Sequence, residues 1–378
     1  KRDWEVYFEN LANKAEKGIR TNNLQPAYKA IQLLQPKIGN CTGFMPINKA
    51  DGNTCSTQEE TLQRWKEHYE NALTCPEATP SPDLDALATD AISDSKTCVD
   101  VPMLEEVCSA IKKLQNGHAA GPDRITPELL QCAIEPTSAA LHQLFVWVWT
   151  TGKEGIIISL YKGKGSHTEC SSFRPITLLS VPGKVFSHVL LALLQPLLTK
   201  HRHPEQSDFA AGRSTMDAIF ALCLLSEIHR EFNCPLIAAY VELKAAFDSI
   251  DRNALWKALR GIGIPDTLLR LIQDLHNGSG AWNHKSERFY TRSGVRQGCV
   301  LAPALFCRAM DWILKRITAN IGITISQTLF SDLDYADDVI LLGLDANNLK
   351  DVLKSFQRNA ATLGLQVSWA KTKMLKQD

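Results

Sequence analysis

The chain has 378 residues, 44% hydrophobic and 22% charged, and its 41 basic and 41 acidic side chains leave no net charge. That length exceeds one ordinary core and predicts two or three domains or subdomains of soluble globular type. No run of 18 or more apolar residues predicts a membrane span, and KRDWEVYFEN lacks the apolar region and cleavage site of a signal peptide.

The 11 cysteines are odd in number and include no C-x-x-C pair, so neither a disulfide framework nor a zinc cluster is predicted. Free thiols suit a reducing, intracellular compartment, nuclear or cytoplasmic. Charge is uneven: residues 41–110 hold 13 acids against 4 bases, and residues 151–214 hold 8 bases against 4 acids. A neutral total therefore conceals room for a basic groove.

The first 75 residues read as helical. Thr57 and Glu60 form a capping-box pattern, and Leu62, Trp65, Tyr69 and Leu73 share one helical face. Residues 75–100 are rich in Pro, Ser, Thr, Ala and Asp, so they read as a linker or a loosely packed segment, and the main boundary is expected there. A helix follows with Val107, Ile111 and Leu114 on its stripe, ended by Asn116-Gly117. Thr126 then Pro127 reads as N-cap and N1 of the next helix. GIIISLYKGKG reads as a buried strand entering a basic, Gly-rich turn. GKVFSHVLLALLQPLL is an apolar helix, and Ser214 with Asp217 caps another. From residue 236 strands and helices alternate: a strand at 236–243, helices near 252–260 and 266–277, a strand near 288–292, and a long helix to about 320. Two strand-like runs joined by acids, a helix at about 345–364 and a short strand LQVSW complete the pattern. The order predicts a sheet covered by helices.

Chemistry concentrates in four places. In SDLDYADDVILLG, four aspartates (Asp332, Asp334, Asp337, Asp338) fall within seven residues, and Asp337-Asp338 suits a tight turn between strands. Crowded carboxylates repel unless cations intervene, and aspartate oxygens suit Mg²⁺. A solvated acidic hairpin is the alternative. In AAYVELKAAFD, Glu242 lies on a strand and Asp248 just beyond its end; Glu242 is either brought beside Asp337 by a neighbouring strand or faces water. SGVRQGCVLAP carries two glycines that permit close backbone approach, and otherwise reads as a loop before a helix. Lys162, Lys164 and Arg174 sit near Gly-rich turns and suit phosphates, with a solvated basic loop as the alternative.

In order along the chain, NGHAAGPDRITPELL, YKGKG, SSFRPITLLSVPGKVF, QSDFAAGRSTMDAI, LKAAFD, GVRQGCVLAP, YADD and GLQVSWAKTK resemble the successive blocks of the reverse transcriptase of LINE-type (non-LTR) retrotransposons, jockey-like elements in particular. The resemblance covers about residues 105–378. It implies an α+β right-hand polymerase with fingers and palm, a mixed, largely antiparallel palm sheet covered by helices, and no thumb before the chain ends. Residues 1–100 would be a helical extension or linker, 101–235 fingers with early palm elements, and 236–378 the palm with the catalytic motifs. The implied activity is RNA-directed DNA synthesis by two-metal nucleotidyl transfer from dNTP to a primer 3′-hydroxyl. Its cofactor would be Mg²⁺ as two ions, with Mn²⁺ as a substitute. Its partners would be an RNA template, a DNA primer and dNTPs, with no membrane and no obligate protein partner.

Position by position, Asp337 and Asp338 match the palm carboxylates, and Glu242 falls where the family has its first catalytic aspartate. These three are the expected catalytic and metal-binding residues. Phe247 matches the residue that screens against a ribose 2′-hydroxyl. Arg174 with Lys162 matches the triphosphate grip, Gln297 and Gly298 the loop against template and nucleotide, and Lys371 a lysine near the leaving pyrophosphate. Glu242 in place of Asp, two shortened connections and the end at Asp378 imply a truncated, impaired copy. The alternative is a decayed copy without catalysis that at most binds nucleic acid.

Overall fold

The computed structural model describes residues 47–74, 78–90, 100–117, 120–121, 123–148, 156–203, 206–207, 212–276, 280–281, 289–317, 321–325 and 327–377, with Glu9, Asn10, Ala12, Asn13 and Glu16. By internal contacts the chain divides into Lys1–Thr61 and Leu62–Asp378. Within the first unit, Thr57 Oγ1 accepts the Glu60 N–H at 3.1 Å, as the capping pattern predicts. The Glu60 carboxylate returns to the Ser56 N–H at 2.8 Å and pairs with Lys49 at 2.9 Å.

The elements in chain order are α1 (Gln58–Ala72), α2 (Pro82–Asp90), α3 (Leu104–Lys112), α4 (Pro127–Cys132), α5 (Ile134–Val148), β1 (Ile156–Tyr161) and β2 (Phe173–Leu178). Then come α6 (Val181–His201), α7 (Thr215–Glu231), β3 (Leu236–Val241), α8 (Ala246–Ser249), α9 (Arg252–Arg260), α10 (Asp266–His276), β4 (Gly280–Ala281) and β5 (Phe289–Tyr290). The rest are α11 (Leu301–Ile317), β6 (Ile323–Ile325), β7 (Thr328–Phe330), β8 (Asp332–Tyr335), β9 (Asp338–Gly343), α12 (Ala346–Ala361) and β10 (Lys373–Gln377).

The expected caps form. Thr126 Oγ1 accepts the Leu129 N–H at 3.3 Å, and the Ser214 N–H donates to Asp217 at 2.7 Å. Three expectations differ. The stretch read as linker contains α2, which packs on α9 with an Asp85–Lys257 ion pair at 2.5 Å, and the contact division falls at Thr61 rather than at 75–100. LQVSW makes only one bridge, Leu243 to Val367, and the closing strand is β10. The strand read as buried, β1, has Leu160 exposed, because a two-stranded hairpin with β2 has an uncovered face.

The central sheet is antiparallel in the order β10-β3-β9-β8. Opposed residues in an antiparallel pair point to one face, so its register sorts every side chain. Ile237, Ala239, Val241, Val339 and Leu341 face the main core, with α6, α9, α11 and α12 in the same cluster. Leu236, Ala238, Tyr240, Ile340 and Leu342 face the other way, where Leu225 of α7, Ile323 and Leu333 cover part of the sheet. α6 is long and apolar enough to cross a membrane by length and composition, but half of its apolar window is buried, as suits a core helix.

Arg252, at the start of α9, is buried and staples the segment before α11. It donates to the carbonyls of Gly294 (2.9 Å), His276 (3.0 Å) and Thr291 (2.8 Å), and to Thr291 Oγ1 (3.0 Å). Burial lowers its guanidinium pKa to about 10. Arg252→Met should cost about 1–3 kcal/mol for each carbonyl left unpaired in the dry interior, read as a lower midpoint in urea unfolding.

Candidate active site

The β8–β9 hairpin closes through Tyr335-Ala336-Asp337-Asp338, with Tyr335 and Asp338 paired and Ala336 at φ +55°. A positive φ at the second position is the signature of the primed turns that match strand twist. Alanine adopts it at a cost, because its Cβ crowds the following carbonyl oxygen. Gln206 Oε1 accepts the Ala336 N–H at 3.1 Å, and Ser207 N–H donates to Asp334 O at 3.0 Å beside a parallel bridge from Gln206 to Asp334.

Register divides the four aspartates of this hairpin. Asp332 and Asp334 lie opposite Leu341 and Val339, hence on the core face, both fully buried. Asp338 alternates with Val339 and takes the other face, as Glu242 does one residue past β3. Extending the β3–β9 register by one residue sets Glu242 opposite Asp338. Their charges interact: the Asp338 carboxyl is raised by burial and then by Glu242, while Lys371 opposes the rise. Lys371 Nζ is 2.5 Å from Glu242 Oε1, held by a turn in which its N–H donates to Ser368 O at 2.9 Å. That turn is fixed to Glu242 itself, whose carbonyl accepts the Ser368 N–H at 2.7 Å. Glu242 and Asp337 are half-buried; Asp338 and Lys371 are exposed. A like-charge pair at a solvent-reaching sheet end, with Asp337 in the adjoining turn, is a donor set that suits a hard divalent cation.

The core-face aspartates do something else. His203 Nε2 lies 2.8 Å from Asp332 Oδ2 and 4.0 Å from Asp334 Oδ2, and its N–H donates to Asp311 of α11 at 3.0 Å. Burial would raise the Asp332 carboxyl, but hydrogen bonds from His203, Asp334 and Ser331 hold it below the usual range. One donor atom from each of His203, Asp332 and Asp334 falls within 4.8 Å of the others. Asp332 is thus held by His203 and Ser331, which ties the segment at His203 to β8. Sequence reasoning grouped all four aspartates and did not single out His203 or Gln206; only the pairing register separates them.

A second group faces the same region. Phe247 stacks on Phe306 at 4.4 Å between centroids. Gln297 Nε2 donates to Asp248 Oδ1 at 2.7 Å, while its carbonyl accepts the Thr177 N–H at 2.7 Å from β2. Gly298, at φ +96°, leaves room for β2: a Cβ there would meet Thr177 O at 2.8 Å. A Cβ on Gly294 would meet the Asp248 backbone at 2.7–2.8 Å. These glycines are thus required by close approach of the chain's own backbone. Exposed Arg174 and Lys162 lie on the β1–β2 hairpin, which α1 braces through Trp65 on Phe173 at 5.1 Å. Lys162 Nζ donates to Ser171 O at 2.8 Å, and its pKa is lowered by burial and by Arg174. Asp248 opposes that lowering and Lys371 adds to it.

Buried Asp248 has its pKa raised to about 7, by burial first, against the lowering effects of Gln297 and Lys162. A carboxyl raised on folding makes the folded state hold more protons, so stability falls as pH rises from its unfolded value near 4 to about 7 and is level above. Asp248→Asn, which keeps an acceptor for Gln297, should lose that decline; thermal melts at pH 5 and 8 should show a smaller difference than in the unmodified chain.

Residues 161–378 match the family model for reverse transcriptase (RNA-dependent DNA polymerase). The chain is 24% identical over 360 residues to the Transposon TX1 uncharacterized 149 kDa protein of Xenopus laevis, covering 90% of this chain and 27% of that protein. It is 25% identical over 281 residues to the Pol polyprotein of type-2 retrotransposable element R2DM of Drosophila melanogaster, covering 70% of this chain and 26% of that one. With the probable RNA-directed DNA polymerase from transposon BS of Drosophila melanogaster it shares 22% over 366 residues, covering 88% and 37%. The chain thus spans between a quarter and two fifths of these relatives. Matched over more than half of its length, and with transposon proteins as relatives, the chain belongs to the reverse transcriptase family.

Proposed function

We propose that this chain carries the polymerase site of an RNA-directed DNA polymerase from a non-LTR retrotransposon. It would take an RNA template, a DNA primer and dNTPs. The observation that carries the reading is the set of Glu242 and Asp338 facing each other at the solvent-reaching end of the sheet, with Asp337 in the adjoining turn. Glu242, Asp337 and Asp338 would hold two Mg²⁺, or Mn²⁺ in their place. The carboxyl of Asp338, raised by burial and then by Glu242, is a group whose charge a cation would relieve. Bound there, the ions would supply Lewis-acid activation of the primer 3′-hydroxyl and neutralise the triphosphate.

The chain's own residues do the rest. Lys162 and Arg174 bring positive charge to the side of the cleft that a triphosphate would occupy, where charge builds during transfer. Phe247, fixed on Phe306, gives a rigid wall beside the sugar. Gln297 is oriented at both ends, its amide by Asp248 and its carbonyl by Thr177, so its loop presents one surface to a template base and nucleotide. Such contacts are to shape and backbone, as a polymerase that accepts every sequence requires.

A second reading has its own observation: a copy with the fold but without catalysis. Glu242 extends one methylene beyond the family's aspartate and is engaged by Lys371. Misplacing a catalytic group by ~1 Å can cost on the order of 100-fold. Primer extension with Mg²⁺ on an RNA template separates the two. Glu242→Asp should extend about 100-fold faster than the unmodified chain, and adding Asp337→Asn should abolish extension. If neither the unmodified chain nor Glu242→Asp extends a primer while both bind the duplex, the binding-only reading holds.

A further inference from the structure

We propose that Gln206 is a positioning residue for the Ala336–Asp338 turn, acting through the Ala336 amide. The inference rests on the polymerase reading for its consequence in catalysis, and on geometry alone for its structural part. A non-glycine residue at φ +55° persists only where its surroundings hold it there. The acceptor of the Ala336 N–H comes from far along the sequence: Gln206 Oε1, at 3.1 Å, from a residue 1% exposed.

Gln206 is in turn fixed by what flanks it. Ser207 N–H donates to Asp334 O at 3.0 Å, and a parallel bridge joins Gln206 to Asp334, so this short segment runs alongside β8. His203 anchors the segment from behind, with Nε2 on Asp332 of β8 and its N–H on Asp311 of α11. The Gln206 N–H donates to His203 O at 3.2 Å. Residues 203, 206 and 207 thus tie the turn to α11 and the core face, while Asp338 is presented on the opposite face. The buried cluster and the exposed carboxylates become two ends of one support: His203 and Asp332 hold the segment, Gln206 holds the turn, and the turn holds Asp337 and Asp338.

The support predicts a division of effects. Losing the Gln206 contact should leave nucleotide binding alone, because Lys162, Arg174, Phe247 and Gln297 lie on other elements. It should loosen the two turn carboxylates together. Two variants remove the contact in different ways. Gln206→Asn keeps the amide but falls one methylene short, and Gln206→Met keeps the volume without an acceptor. Neither buries a new charge.

The experiment has three readouts. In the unmodified chain, amide exchange at Ala336 should be as slow as in β9; exchange at the rate of an open loop overturns the proposal without any variant. In both variants that amide should lose its protection, and Mn²⁺ affinity, followed by its electron paramagnetic resonance signal, should fall. In the Glu242→Asp background, kcat should drop by about 10- to 100-fold, the range a displaced catalytic group gives, with KM for dNTP unchanged. A role in stability alone would lower the melting temperature and leave Mn²⁺ affinity and kcat as they were, which overturns the proposal. So would a rise in KM at constant kcat. If the Glu242→Asp background extends no primer, the polymerase reading fails, while the amide and Mn²⁺ readouts still decide the role of Gln206.

Discussion

The antiparallel pairing of β3 with β9, and of β9 with β8, decides which acids can reach solvent and which cannot. Opposed residues share a face, and one face of this sheet is sealed by α11 and its neighbours. Within one hairpin, Asp332 and Asp334 are consequently shut into the core, and Asp338 is turned out to meet Glu242. A slip of one residue in that register would exchange the two sets. It would bury the outward pair without partners and expose the buried cluster. The large apolar core beneath Val339 and Leu341 makes such a slip costly, and the proposed site therefore rests on hydrophobic burial several residues away from it.

A second constraint is close backbone approach. Gly298 admits β2, Gly294 admits the chain at Asp248, and Gln297 between them is held from both sides. The segment that would face a nucleotide is thus fixed between the β1–β2 hairpin and the turn after β3. The cost is a buried carboxyl, Asp248, whose proton affinity burial raises. The Arg252 staple and the α1 aromatic brace support the same region from outside. Rigid supports around polar groups at an open sheet end are what electrostatic preorganisation requires.

Much of this was legible in the sequence. The caps at Thr126 and Ser214 follow from local hydrogen bonding, which needs only neighbours in the chain, and the order of the motif blocks carried the family. α2 was missed although its signal was present. Ser81-Pro82 repeats the N-cap and N1 pattern that Thr126-Pro127 announces, and composition masked it. β10 was missed because KMLKQ is an edge strand, and edge strands carry charge to discourage further pairing. The residues of the proposed site, Glu242, Asp337, Asp338, Phe247, Gln297 and the basic hairpin, can be named from the sequence as residue types. The partition of four aspartates between two faces was not legible, because both faces of the hairpin carry acids or apolar residues and alternation alone does not say which is inside. Nor were His203 and Gln206, whose partners lie 129 and 130 residues away.

The central claim is that the carboxylates on the open face, and not the buried cluster behind them, form the cation site. Anomalous diffraction from crystals soaked in Mn²⁺ tests it most directly. The account predicts density between Glu242, Asp337 and Asp338, with Lys371 displaced from Glu242, and none at His203. Density among His203, Asp332 and Asp334 with the open face empty would contradict it.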